Sequence, residues 1–137
     1  MSSTLYNTIK AIYFNLDTNS QGYATLNIPF AVKEIIVKQI GYLDSSATFT
    51  QLNSMAILYS NLVQNNALGV VNMSVFQPTQ LSTRFSYKNP FHINGNFQFQ
   101  LRDLTGSTFN LTGVATSRMV VILEFINYDT PVTHVTI

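Results

Sequence analysis

Apolar and polar residues alternate with a period of two along much of the chain. The clearest example is segment 96–103, where Phe97, Phe99 and Leu101 alternate with Gln98, Gln100 and Arg102. Such alternation predicts a strand with one buried and one solvent-facing side. The same criteria, together with β-branched content, predict strands over 10–16, 23–28, 35–42, 55–63, 68–76, 81–87 and 108–111. Segment 118–128 is almost continuously apolar and predicts a central strand covered on both sides.

Turn-forming residues occupy segment 17–22, which predicts a hairpin between the first two strands. Two segments also fit a helical spacing of apolar residues, 32–43 and 52–62. In the first, β-branched residues favour a strand. For the second, two predictions remain: a strand alone, or a helical turn followed by a strand.

Eight or nine short strands in 137 residues predict an all-β sandwich or barrel. The connections near 44–54, 77–81 and 88–95 are too long for simple hairpins and favour the cross-sheet links of a jelly roll. We therefore expect one domain over 1–137, a single jelly-roll antiparallel β-sandwich of about eight strands. A short polar N-terminal arm (1–8) and a C-terminal tail (129–137) are expected to flank it.

Charge is scarce in this sequence. Only 9% of residues are charged, against about 25% in an average soluble domain, and the net charge is +1. Ser, Thr, Asn and Gln fill 49 positions instead. The abundant apolar residues exclude a disordered chain, and seven scattered cations exclude a basic nucleic-acid-binding patch. A nearly neutral surface favours association with other copies.

No residues form a recognisable catalytic or metal-binding pattern. The chain has no cysteine, and neither His92 nor His134 has a nucleophile or carboxylate at the spacing of a known motif. Segment 17–22 resembles the start of a calcium-binding loop. The twelfth position of that pattern needs a carboxylate, and counting from Asp17 it is occupied by Ile28. We expect no enzyme activity, cofactor or metal. Glu124, inside the most apolar strand, is expected to lie at a sheet edge or to pair with a cation, although burial would raise its pKa.

The N-terminal residues lack the pattern of a signal peptide, and the longest apolar run, Met119 to Leu123, is far shorter than the roughly 20 residues of a membrane span. We therefore expect no membrane insertion and no export.

Two regions resemble small jelly-roll virion proteins of eukaryotic DNA viruses. The first is segment 57–63 followed by Gly69-Val70. The second is segment 97–101, then Asp103, Gly106, Gly113 and the apolar strand 121–125. The chain is too short for the double jelly roll of the main shell, so the resemblance implies a single jelly-roll penton, minor capsid or cement subunit. It implies a virion location, assembly in the host cytoplasm, and other capsid proteins as partners.

The combined expectation is a structural, self-assembling capsid subunit, trimeric or pentameric. Terminal residues that could contact neighbouring copies are Thr4, Tyr6, Val132 and Val135. The alternative is a receptor- or glycan-binding tip domain of a fibre or adhesin. Its best candidate ligand loop contains Tyr87, Asn89, His92 and Asn94.

Overall fold

The computed structural model describes residues 4–17, 19–45, 55–72, 79–107 and 117–129. These residues form eight strands and one short 3₁₀ helix, η1 (Asn61–Val63). The strands are β1 (Thr4–Leu16), β2 (Gln21–Asn27), β3 (Val32–Ser45), β4 (Met55–Ser60), β5 (Asn66–Asn72), β6 (Thr79–Phe91), β7 (Asn94–Asp103) and β8 (Ser117–Asp129). Across these ranges, no helix is long and apolar enough to cross a membrane.

The strands form two four-stranded antiparallel sheets with the orders β1-β8-β3-β6 and β2-β7-β4-β5. Strand 1 pairs with 8, 2 with 7, 3 with 6, and 4 with 5. The first strand thus pairs with the last, and each following strand pairs with the next one inward. This nested antiparallel pairing is the topology of a jelly roll. The predicted fold class is therefore confirmed. Strand β8 is central, as predicted, but it is not fully covered on both sides, because Ile122 and Glu124 are half-buried and Tyr128 is exposed on its outer side.

The core lies between the two sheets. Alternate residues of β8 (Met119, Val121, Leu123 and Phe125) are fully buried there. Phe14 of β1 and Phe99 of β7 stack with their ring centroids 4.6 Å apart and so join the sheets. Aromatic pairs of this kind contribute about 0.5–1.5 kcal/mol beyond the area they bury.

Two predictions about the N-terminal region are corrected. The β1–β2 hairpin is wrong, because β1 pairs with β8 in one sheet and β2 with β7 in the other. The turn between β1 and β2 is instead a corner that carries the chain from sheet to sheet. Residues 4–8 of the predicted arm are paired with β8, so this part does not form an arm.

Segment 55–63 and the loop at 88–95 also differ from expectation. The helical turn η1 follows β4 rather than preceding it. Most of 88–95 belongs to β6 and β7, which leaves only His92 and Ile93 between these strands. The strand predicted over 108–111 and most of the predicted C-terminal tail lie outside the described residues.

Candidate functional site

Strand β1 forms an edge of its sheet and carries few of the features that usually protect an edge. It pairs with β8 over thirteen residues in continuous register. Its only charged residue is Lys10, and it contains no proline. Unpaired backbone groups along such an edge can bind another strand, and natural proteins normally block them with charges, prolines or bulges.

The other three edges of the two described sheets are better protected. Strand β6 carries Arg84, Lys88 and Pro90, as well as shifts of register against β3. Strands β2 and β5 have only seven residues each. An open groove of about 450 Å³ separates β1 from β2, with Tyr13 and Tyr23 among its lining residues. Strand β2 approaches β1 closely at Gly22 and Asn15, but the groove leaves the part of β1 around Tyr13 uncovered.

Apolar side chains are also exposed on the outer side of β1 and β8. Ile9 is 58% exposed and Tyr13 67% exposed on β1, and Tyr128 is 48% exposed on β8. The solvent-facing side of an antiparallel sheet usually carries polar residues instead. We call these three residues, together with the exposed Ala11, the β1 face.

The outer side of the second sheet is different in character. Gln98, Gln100 and Arg102 alternate along its β7 strand. The Arg102 guanidinium lies 4.5 Å from the centre of the Tyr59 ring, and its Nε donates to Gln100 Oε1. Amides and a cation stacked on an aromatic ring make the β7 part of this surface polar. Its edge strands also expose Tyr23 (54%) and Val70 (39%).

Four charged side chains on the same side of the sheet as the β1 face form two ion pairs. Lys38 Nζ lies 3.3 Å from Glu124 Oε1, and Arg84 Nη1 lies 2.6 Å from Glu34 Oε1. The Asn7 amide donates to Glu124 Oε2 at 2.9 Å. This hydrogen bond, with a smaller effect from Lys38, lowers the pKa of the Glu124 carboxyl despite its partial burial.

Glu124 therefore pairs with a cation, as one of the two expectations for this residue stated. The other expectation, a position at a sheet edge, is wrong, because β8 is a central strand. The Arg84 guanidinium is likewise held in its charged form, because the hydrogen bond and charge of Glu34 raise its pKa. Two cations and two anions thus compensate one another on this side of the sheet.

The structure places only some of the predicted assembly residues. Thr4 lies opposite Asp129 at the end of the β1–β8 pair. Tyr6 is 44% exposed, with its ring centroid 5.9 Å from that of Phe30. Val132 and Val135 lie outside the described residues.

A second surface feature is an open cleft of about 510 Å³ between η1 and the end of β6. We call it the η1–β6 cleft. Its η1 side is lined by Asn61, Leu62 and Gln64. Its other side is lined by Tyr87, Lys88, Asn89, Phe91 and His92, with Phe97 of β7.

An irregularity in β6 shapes one wall of this cleft. Between the pairs Val32–Phe91 and Glu34–Ser86, β3 advances by two residues whereas β6 advances by five. The extra residues make the strand bulge, and Pro90 lies within the bulge, where a ladder hydrogen bond is not required. The bulge brings Tyr87, Lys88 and Asn89 to the cleft.

Hydrogen bonds to β7 fix the opposite wall. The Ser60 hydroxyl, which caps η1, donates to the Gln98 carbonyl at 2.8 Å and accepts from the Leu62 amide at 3.1 Å. Asn61 Oδ1 accepts from the Gln98 amide at 2.9 Å. Gln64 then follows in the left-handed conformation, with φ of 60°. The position of η1 is therefore set by specific contacts with the adjoining sheet.

Three of the four residues of the predicted ligand loop, Tyr87, Asn89 and His92, line the cleft. Asn94 does not, because it begins β7 opposite Asn27. Sequence reasoning missed the η1 side, since nothing local to Asn61 or Gln64 shows which distant segment they face.

The described residues contain no group of three or more His, Asp or Glu side chains that could hold a metal ion. His134 lies outside them. Comparison of the chain with protein-family models, with curated proteins and with solved structures finds no match. The β1 face with its edge and the η1–β6 cleft are therefore the features of the described residues that point to a function.

Proposed function

We propose that this protein is a structural subunit that assembles with copies of itself through the β1 edge and the β1 face. The observation that supports this proposal most directly is the composition of β1. It is a thirteen-residue edge strand with one charged residue, and Ile9 and Tyr13 are exposed beside it.

Association through β1 is favourable for two physical reasons. A second strand added to the edge would pair its free backbone groups. Burying the exposed parts of Ile9 and Tyr13 would contribute about 1–3 kcal/mol each. Four of the neighbouring charged side chains already form two ion pairs within the chain, which reduces the cost of removing water from them.

A jelly roll that assembles in this way suits a viral particle, where the subunit would act as a penton, minor capsid or cement protein. Two points support this setting: the jelly-roll pairing of the strands and the sequence resemblance of segments 57–70 and 97–125. The partners proposed are other copies, in a trimer or pentamer, and other capsid proteins.

The test is the mass in solution, measured by light scattering after size exclusion over a hundredfold range of concentration. We expect the unchanged chain to form an oligomer of defined size. The double variant Ile9→Lys/Tyr13→Lys introduces two charges into the β1 face and should dissociate it.

The matched control is Leu104→Lys, because Leu104 is 61% exposed in the turn after β7 and lies away from the β1 face. Its mass should equal that of the unchanged chain. A monomer at every concentration would refute the proposal. An oligomer that the double variant leaves intact would refute the role of β1.

A further inference from the structure

The η1–β6 cleft has the size and the lining of a small-ligand site. Its volume of about 510 Å³ lies within the roughly 300–1,000 Å³ of known ligand pockets. The cleft is open to solvent and lies on a different part of the surface from the β1 face. Ligand binding there goes beyond the proposed assembly and does not depend on it.

Aromatic side chains provide the apolar part of the lining. The Tyr87 and Phe91 rings meet edge to face, with centroids 4.8 Å apart and an angle of 71° between their planes. Phe97 is partly buried beside them. Burial raises the pKa of the Tyr87 phenol, so its hydroxyl stays protonated and available as a donor. A ring with one apolar face and polar groups at its rim would complement this surface.

Amide groups provide the neutral polar part. Asn61 Oδ1 is occupied by the Gln98 amide hydrogen, which fixes the carboxamide orientation and leaves Nδ2 as a donor. Gln64 and Asn89 add two exposed carboxamides. Each carboxamide both donates and accepts, which matches the adjacent hydroxyl groups of a sugar ring.

The charged part of the lining is the cation Lys88. His92 also lines the cleft, and no Asp or Glu is among the described lining residues. An anionic group on the ligand would therefore find a cation and no opposing carboxylate. From this combination we propose that the η1–β6 cleft binds an acidic saccharide, with the sugar ring against the aromatic side chains and its carboxylate near Lys88.

The experiment measures binding of free sugars to the full chain by saturation-transfer NMR and calorimetry. The acidic probes are glucuronic acid and N-acetylneuraminic acid, and the neutral probes are glucose and N-acetylglucosamine. We expect the acidic sugars to bind more tightly than the neutral ones, and added salt to weaken this preference.

Lys88→Gln should weaken binding of the acidic sugars by roughly threefold to tenfold, the range for a partly exposed charged hydrogen bond, and leave the neutral sugars unchanged. The matched control is Lys33→Gln, which removes an exposed lysine that does not line the cleft. Both positions are exposed, and an unchanged urea midpoint would show that each variant folds.

Three outcomes would overturn the inference: no saturation transfer to any sugar at tens of millimolar, equal affinity for acidic and neutral sugars, or equal losses in Lys88→Gln and Lys33→Gln. Tighter binding of a short peptide with a free C-terminal carboxylate than of any sugar would also overturn it. Light scattering on the same variants separates this result from assembly, since neither lysine substitution alters the β1 face.

Discussion

Replacing Gly22 with alanine should destabilise the fold, although the same change in most strands would stabilise it. Gly22 is buried in β2 opposite Phe99. It does not adopt a left-handed conformation, so the reason for glycine here is space. An added Cβ would lie 2.7 Å from Cδ2 of Phe14 and still closer to the backbone oxygen of Asn15.

Two effects of opposite sign determine how much the Gly22→Ala substitution changes the free energy of unfolding. Removing glycine from a strand normally stabilises by about 0.5–1 kcal/mol, through the lower entropy of the unfolded chain. Overfilling a packed core costs about 1–3 kcal/mol. The closest obstacle is a backbone atom of β1, which is paired with β8 and cannot rotate away. We therefore expect a net loss of about 1–2 kcal/mol.

The assay is urea unfolding at a fixed protein concentration, because any assembly makes the apparent stability depend on concentration. A useful control is Ala24→Gly, two residues along the same strand and partly buried against the core. It should lose only about 0.5–1 kcal/mol. If Gly22→Ala were as stable as the unchanged chain or more so, the argument from close packing at Gly22 would be refuted.

Three further predictions concern single side chains. Ser60→Ala should lower the free energy of unfolding by about 1–2 kcal/mol in urea titration, since it removes the cap of η1 and a buried hydrogen bond to β7. Gln64→Gly should raise the urea midpoint slightly, because φ of 60° costs about 1 kcal/mol for a residue with a Cβ; Gln64→Val should lower it. The lowered pKa of Glu124 stabilises the fold above the ordinary carboxyl value of 4.5, and this contribution is lost as the pH falls through the lower folded pKa. Glu124→Gln should therefore reduce the pH dependence of the unfolding free energy as the pH falls below the ordinary carboxyl value of 4.5; an unchanged slope would contradict the assignment.

Local patterns predicted individual strands well because burial between two sheets imposes a period of two. Segments 96–103 and 118–128 are strands β7 and β8, and the absence of alternation in the second marked its central position. The pairing of β1 with β8 was not predicted. Turn residues such as Asp17, whose carboxylate accepts the amide hydrogens of Asn19 and Gln21, serve a corner between sheets as well as a hairpin.

The candidate surfaces also differ in how far the local sequence predicts them. The apolar residues on both sides of β1 are visible in the sequence, because Ile9 and Tyr13 alternate with the buried Ile12 and Phe14. The η1–β6 cleft was only half visible. Its β6 side was predicted from the Tyr and Asn residues of the expected loop, but its η1 side depends on contacts with Gln98, distant along the chain.

The central position of β8 has a consequence for the order of events during synthesis. The hydrogen bond between Asn7 and Glu124 joins residues 117 positions apart, and β8 is the last of the eight strands to leave the ribosome. Until then β1 and β3 have no strand between them, so the first sheet cannot form, and folding must wait for contacts of long sequence separation. A nascent chain therefore cannot complete the sheet that carries the β1 edge before β8 has been synthesised, and the proposed association through β1 would have to follow that step.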